Sequence, residues 1–162
     1  MTHLSLNELA ARTGIKPRTL QLWTDANALL AMPESDRMGS GAHRRYLKSE
    51  LEIAVILLPL AKSFRIPVGK LKKISDDLRN LFSAEDDPPD GTPLLANLAR
   101  ARKGLIPVWL SFAYEGEKNS FEWQISGGAL GGLGTLKTRP CVLTVNLTTL
   151  LASIKSLEET SG

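Results

Sequence analysis

The chain has one cysteine, Cys141, and two histidines, His3 and His43, among its 162 residues. A single thiol excludes an internal disulfide and any multi-cysteine zinc site, and two histidines forty residues apart have no metal-ligand spacing. No apolar stretch approaches the roughly 18 residues of a membrane span. Met1-Thr2-His3-Leu4 lacks the basic start and apolar core of a secretory leader. We therefore expect a cytoplasmic protein with no metal, no cofactor and no membrane. Catalytic constellations are missing as well. There is no nucleophile elbow, no cysteine pair and no histidine cluster, and the carboxylates fall mostly in a linker or on expected helix exteriors, so no enzyme is expected.

Aromatic residues make up only 6% of the chain, and five of the nine, Trp109, Phe112, Tyr114, Phe121 and Trp123, fall within fifteen positions. A pocket for an apolar effector is one reading. A hairpin core or a dimer interface is the better one, because the spacing is alternate.

Charge is present but uneven. Residues 1–81 hold 13 Lys and Arg against 8 Asp and Glu, a net +5, whereas residues 82–162 hold 7 against 9, a net −2. A basic patch on a small domain attracts a polyanion.

The basic half opens with Ser5-Leu6-Asn7-Glu8, a capping box. Leu6, Leu9 and Ala10 form one apolar stripe. Thr13-Gly14 ends this helix, since glycine accepts the left-handed backbone of a tight turn. Pro17 suits the first turn of a second helix. Ile15, Leu20 and Trp23 should face inward, leaving Lys16, Arg18, Gln21 and Thr24 outside. Residues 31–45 read as a loop or small β-wing carrying Arg37, His43, Arg44 and Arg45. A helix from Lys48 is nearly all apolar over Ile53–Ala61 and should be buried on most sides. Pro59 should kink or loosen it. Pro67 starts another helix as an N1 proline, with Val68, Leu71, Ile74, Leu78 and Leu81 in helical period and Lys70, Lys72 and Lys73 outside.

Residues 83–93 are acidic and proline-rich, which reads as a linker. Beyond them Leu94–Lys103 reads as a helix. Val108–Tyr114 and Phe121–Ile125 alternate as hairpin strands. Residues 127–140 read as a glycine-rich loop that lacks the Gly-Lys-Ser/Thr of a phosphate loop. Val142–Leu147 reads as a third strand. Leu147, Leu150, Leu151, Ile154 and Leu157 mark a last amphipathic helix.

Residues 4–81 resemble the DNA-binding domain of the MerR family of bacterial transcription regulators. The matching residues are Leu9-Ala10, Gly14-Ile15, Pro17-Arg18-Thr19-Leu20, Leu29-Leu30, Arg44-Arg45-Tyr46 and the leucine-rich helix that follows. Gln21, Leu22, Trp23 and Thr24 depart from the family's Arg, two aromatics and acid. The family's glycine after the second helix is matched by Asn27 or Ala28, and Asn27 can take a left-handed cap. The family's long dimerisation helix is replaced by the acidic linker and a small α+β unit. The resemblance implies a mainly α, winged helix-turn-helix N-terminal domain (1–82); composition and alternation beyond it give a linker (83–93) and a small α+β C-terminal domain (94–162), expected to serve dimerisation or effector binding. It implies a nucleoid-associated regulator that binds double-stranded DNA as a homodimer, with RNA polymerase or a small-molecule effector as further partners.

Under that resemblance Lys16, Arg18, Thr19, Gln21 and Thr24 are candidates for the major groove, where Arg and Lys donate to guanine and Gln pairs with adenine. Arg37, His43, Arg44 and Arg45 are candidates for phosphate or minor-groove contact. Tyr46 is expected to pack at the base of the wing. The plain alternative for each set is a solvated surface. Two rival functions stay open: an excisionase-like architectural factor of a mobile element, and a small-molecule-binding module tethered to DNA. The C-terminal unit is expected to carry self-association, with a partner covering its apolar face. Internal cover by Leu147, Leu150, Leu151 and Ile154 is the alternative.

Overall fold

The computed structural model describes residues 3–36, 44–85, 93–115, 120–127 and 141–159. The architecture is mixed α+β: N-terminal helices, then a three-stranded antiparallel sheet followed by a C-terminal helix. The packing divides the chain into two units, the first holding Met1–Asn80 and Ser156–Gly162 and the second holding Leu81–Lys155. Among the described residues no helix is long and apolar enough to cross a membrane.

The first unit begins with strand β1 (Leu4–Ser5) and helix α1 (Leu6–Thr13). The Ser5 hydroxyl accepts the Glu8 N–H at 3.2 Å, and the Glu8 carboxylate accepts the Ser5 N–H at 2.7 Å. Two N–H groups that a helix start leaves open are thereby satisfied. Those contacts hold the Glu8 carboxyl below its ordinary pKa, the Ser5 backbone N–H most and the Ser5 hydroxyl next, with Arg12 and Arg45 adding to them. Gly14 closes α1 at φ 67° and donates to the Ala10 carbonyl. Helix α2 (Pro17–Asp25) follows, with Pro17 in its first turn as expected. Of the two candidates for the left-handed cap, Asn27 takes it, at φ 57°.

Residues 31–45 were expected to be loop or wing, yet Pro33–Asp36 form a one-turn helix, α3. The cause is local bonding. The Ser35 hydroxyl donates to the Met32 carbonyl, and the Met32 N–H reaches the Arg45 carbonyl. Strand β2 (Arg45–Tyr46) pairs antiparallel with β1, Leu4 opposite Tyr46 and Ser5 opposite Arg45. Helix α4 (Lys48–Lys62) buries Leu51, Ile53, Ala54, Val55, Ile56, Leu57 and Leu60. It runs through Pro59, which lies in its last turn, where the missing N–H removes only one ladder bond. Helix α5 (Val68–Glu85) buries Leu71, Ile74 and Leu78. Pro67 stands just before it rather than inside its first turn, and its carbonyl accepts from Lys70 and Leu71. The helix carries on through residues 83–85; the other expected linker residues up to 92 lie outside those described.

The second unit contains helix α6 (Pro93–Lys103), strands β3 (Val108–Glu115), β4 (Ser120–Gly127) and β5 (Leu143–Asn146), and helix α7 (Leu147–Glu159) as far as Lys155. The strand order is β4-β3-β5, all antiparallel, with Leu110 opposite both Ile125 and Val145. Val108, Leu110, Phe112, Ile125 and Val145 therefore share a face, and all are buried. Helix α6 lies on that face. A Cβ on Gly127, which pairs with Val108, would meet Asn97 Oδ1 and Ile106 Cδ1 at 3.0 Å. Thr148, in the first turn of α7, accepts the Val108 N–H and donates to the Ile106 carbonyl, each at 2.9 Å.

One expectation for this unit needs correction. The apolar face does not wait for a partner subunit: Leu147, Leu151 and Ile154 are already buried within one chain, and only Leu150 of the four is half-buried. Ser111 and Ala113, on the opposite face of β3, are buried too. A central strand with side chains this small between its large ones accepts cover on both sides. The glycine-rich loop lies outside the described residues, as do the side chains of Tyr114, Phe121 and Trp123.

Candidate nucleic-acid interface

Helix α2 is held from one side. Leu20, Trp23 and Thr24 are its buried residues, at positions i, i+3 and i+4. The expected outer set therefore loses Thr24. Its hydroxyl donates back to the Leu20 carbonyl at 2.9 Å and lies 3.0 Å from the Tyr46 hydroxyl. That pairing supplies the partners a buried polar side chain needs. Thr24 thus fixes α2 against β2, and Tyr46, fully buried, packs at the strand as expected.

The face turned outward carries Arg18, Gln21, Leu22 and Asp25. Arg18 and Leu22 are exposed, Gln21 is half-buried and Asp25 is exposed. Lys16 is exposed at the N-cap position and makes no side-chain cap bond. Thr19 is half-buried on the flank. One side of a nine-residue helix thus presents a cation, an amide, an aliphatic group and a carboxylate, with Lys16 at its N-cap, while the other side is anchored.

Arg44 and Arg45 are brought to the same region by the β1–β2 pairing. The Arg44 guanidinium bonds the Asp25 carboxylate at 2.7 Å. Asp25 was not among the expected site residues. Its signal in the sequence was its position, seven residues after Arg18 and so on the same helix face. Arg45 is exposed, and its N–H donates to the Ser35 hydroxyl at 2.9 Å, which steadies the backbone that carries it. The other two expected wing cations, Arg37 and His43, lie outside the described residues.

Beneath this surface lies a polar cluster that sequence reasoning missed. The carboxylates were expected mostly on helix exteriors or in the linker, but Glu50 is buried. Its two oxygens take Arg79 Nε at 2.8 Å and Nη2 at 3.0 Å, and one also accepts the Leu30 N–H at 2.9 Å. Arg79 further donates to the Ala28 carbonyl, the Ser75 hydroxyl and Asp76. The segment that leaves α2 is thereby tied to α4 and α5. The clue was Glu50 itself, an acid three residues before an apolar run on a helix that had to be buried.

Among the described residues no three His, Cys, Asp or Glu side chains gather as a metal site would require. Cys141 is exposed just before β5. No protein-family model matches the chain, and no curated protein matches it significantly.

Proposed function

We propose that the chain is a sequence-specific DNA-binding transcription regulator of the MerR-like kind, acting as a homodimer. In this reading α1, the Gly14 turn and α2 are a helix-turn-helix, α2 enters the major groove, and β2 with the cations around it serves as the wing on the phosphates. The observation that carries the reading is the division of α2. Its inner stripe is anchored by Leu20, Trp23 and Thr24, and its outer face offers Arg18 and Gln21, side-chain types that pair with guanine and adenine edges. The net +5 of residues 1–81 supplies the sequence-independent attraction. Two copies are required because each helix reads one half-site. The second unit is the place for that contact, since β4 and β5 each pair on one side only among the described residues.

The test is selection of duplexes by the full chain from a random-core pool. Enrichment of a two-fold site with half-sites about 34 Å apart is expected. Its affinity should fall with salt at a log–log slope of about −0.9 per phosphate neutralised. No enrichment of any duplex, or an affinity indifferent to salt, refutes the proposal.

A further inference from the structure

Leu22 is not among the buried residues that anchor α2. It is 55% exposed, more than any other large apolar side chain described in the first unit. It stands on the outer face of α2, one turn after Arg18, at a rotation of about 40° and a rise of about 6 Å. Arg18, Gln21 and Asp25, which share that outer face, are all polar. An aliphatic side chain in the middle of a polar face gains nothing from water, and it can make no hydrogen bond to a phosphate or a base edge.

We propose that Leu22 reads the 5-methyl group of a thymine. The inference rests on the reading of α2 as the helix that enters the major groove. That groove presents hydrogen-bond donors and acceptors at every base pair, but one apolar group only, the thymine methyl. Leucine is matched to that group and mismatched to everything else there. The rise between Arg18 and Leu22 spans nearly two base-pair steps of about 3.4 Å each. Arg18 on a guanine and Leu22 on a thymine one or two pairs away can therefore be satisfied together. Asp25, at the next turn, is occupied by Arg44 and leaves the position beyond Leu22 without a free cation from that pair.

The experiment uses the duplex that the full chain selects from a random-core pool, resynthesised with deoxyuridine in place of each thymine in turn. Deoxyuridine keeps the hydrogen-bonding edge and removes only the methyl. One position in each half-site is expected to weaken the wild-type complex by about fourfold, the value of one buried methyl group. L22A should show no such difference between the two duplexes, L22M should restore it, and R18A should retain it. L22A is expected to keep the wild-type circular dichroism spectrum because Leu22 is not one of the buried residues that hold α2 in place. Selection of a duplex with no methyl-sensitive position, or full methyl sensitivity in L22A, overturns this inference and leaves the DNA-binding reading standing. Failure to select any duplex overturns both.

Discussion

Removing the Glu50 carboxylate should cost the first unit a large part of its stability. The side chain of Glu50 is 5% exposed and that of Arg79 is 16% exposed, so the pair sits where water screens it little. Both carboxylate oxygens are engaged by the guanidinium, and one also holds the Leu30 N–H. In Glu50→Ala the Leu30 N–H loses its partner, and the Arg79 charge keeps only Asp76, Ser75 and the Ala28 carbonyl. Breaking a buried pair from one side costs about 3–5 kcal/mol. Asp76 remains as a counter-charge, so the lower end applies, about 3 kcal/mol. Whole-domain stability is only about 5–15 kcal/mol. For a unit of this size the melting temperature should fall by roughly 12–24 °C. Glu50→Gln keeps the volume and an acceptor for Leu30, so it should lose about half as much. The assay is thermal and urea unfolding of the full chain followed by far-UV circular dichroism. A loss below about 1 kcal/mol in Glu50→Ala would refute the reasoning, because that is the value of an exposed ion pair.

Three further outcomes follow from the structure. Arg18→Ala should lose about 1–3 kcal/mol on the selected duplex and relax the preference at one base pair, whereas Asp25→Asn, which takes the bonded carboxylate from Arg44, should strengthen binding to random-sequence duplex by about 1 kcal/mol at low salt; competition binding on matched and random DNA checks both, and an unchanged base preference in Arg18→Ala counts against the assignment of α2. Half-buried Asp77 has its pKa raised, chiefly by desolvation, with Asp76 adding to it and Lys73 opposing it. Its ionised form is therefore less favourable folded than unfolded, and the penalty appears as pH rises above its unfolded value and is complete above its folded one. Asp77→Asn should raise the melting temperature at pH 7 and lose that advantage as pH falls below about 4; a gain that does not vary with pH would contradict this.

The parts of the fold legible in the sequence are those decided within a few residues. The capping box at Ser5 and Glu8, the left-handed Gly14 and Asn27, and Pro17 in the first turn of α2 each depend on contacts no more than four positions apart. The alternation from Val108 through Ile125 likewise marked a hairpin, because a strand's two faces repeat every second residue. An uninterrupted apolar helix at 53–61 had to be buried whatever surrounded it. These features also marked Lys16, Arg18 and Gln21 as the open face of α2.

What tertiary structure alone decided were the pairings between distant positions. Leu4 meets Tyr46, Thr24 meets Tyr46, Asp25 meets Arg44 and Glu50 meets Arg79 across 19 to 42 residues of chain. A one-dimensional pattern tells which side of a helix is buried but not which partner buries it. Threonine shows the limit most clearly. Its polar label put Thr24 on the outside, yet the helical period carried it inward, and a hydroxyl from another element made that position tolerable. Local bonding is written in neighbouring residues, whereas cover for a polar group depends on surfaces that meet only when the chain has folded.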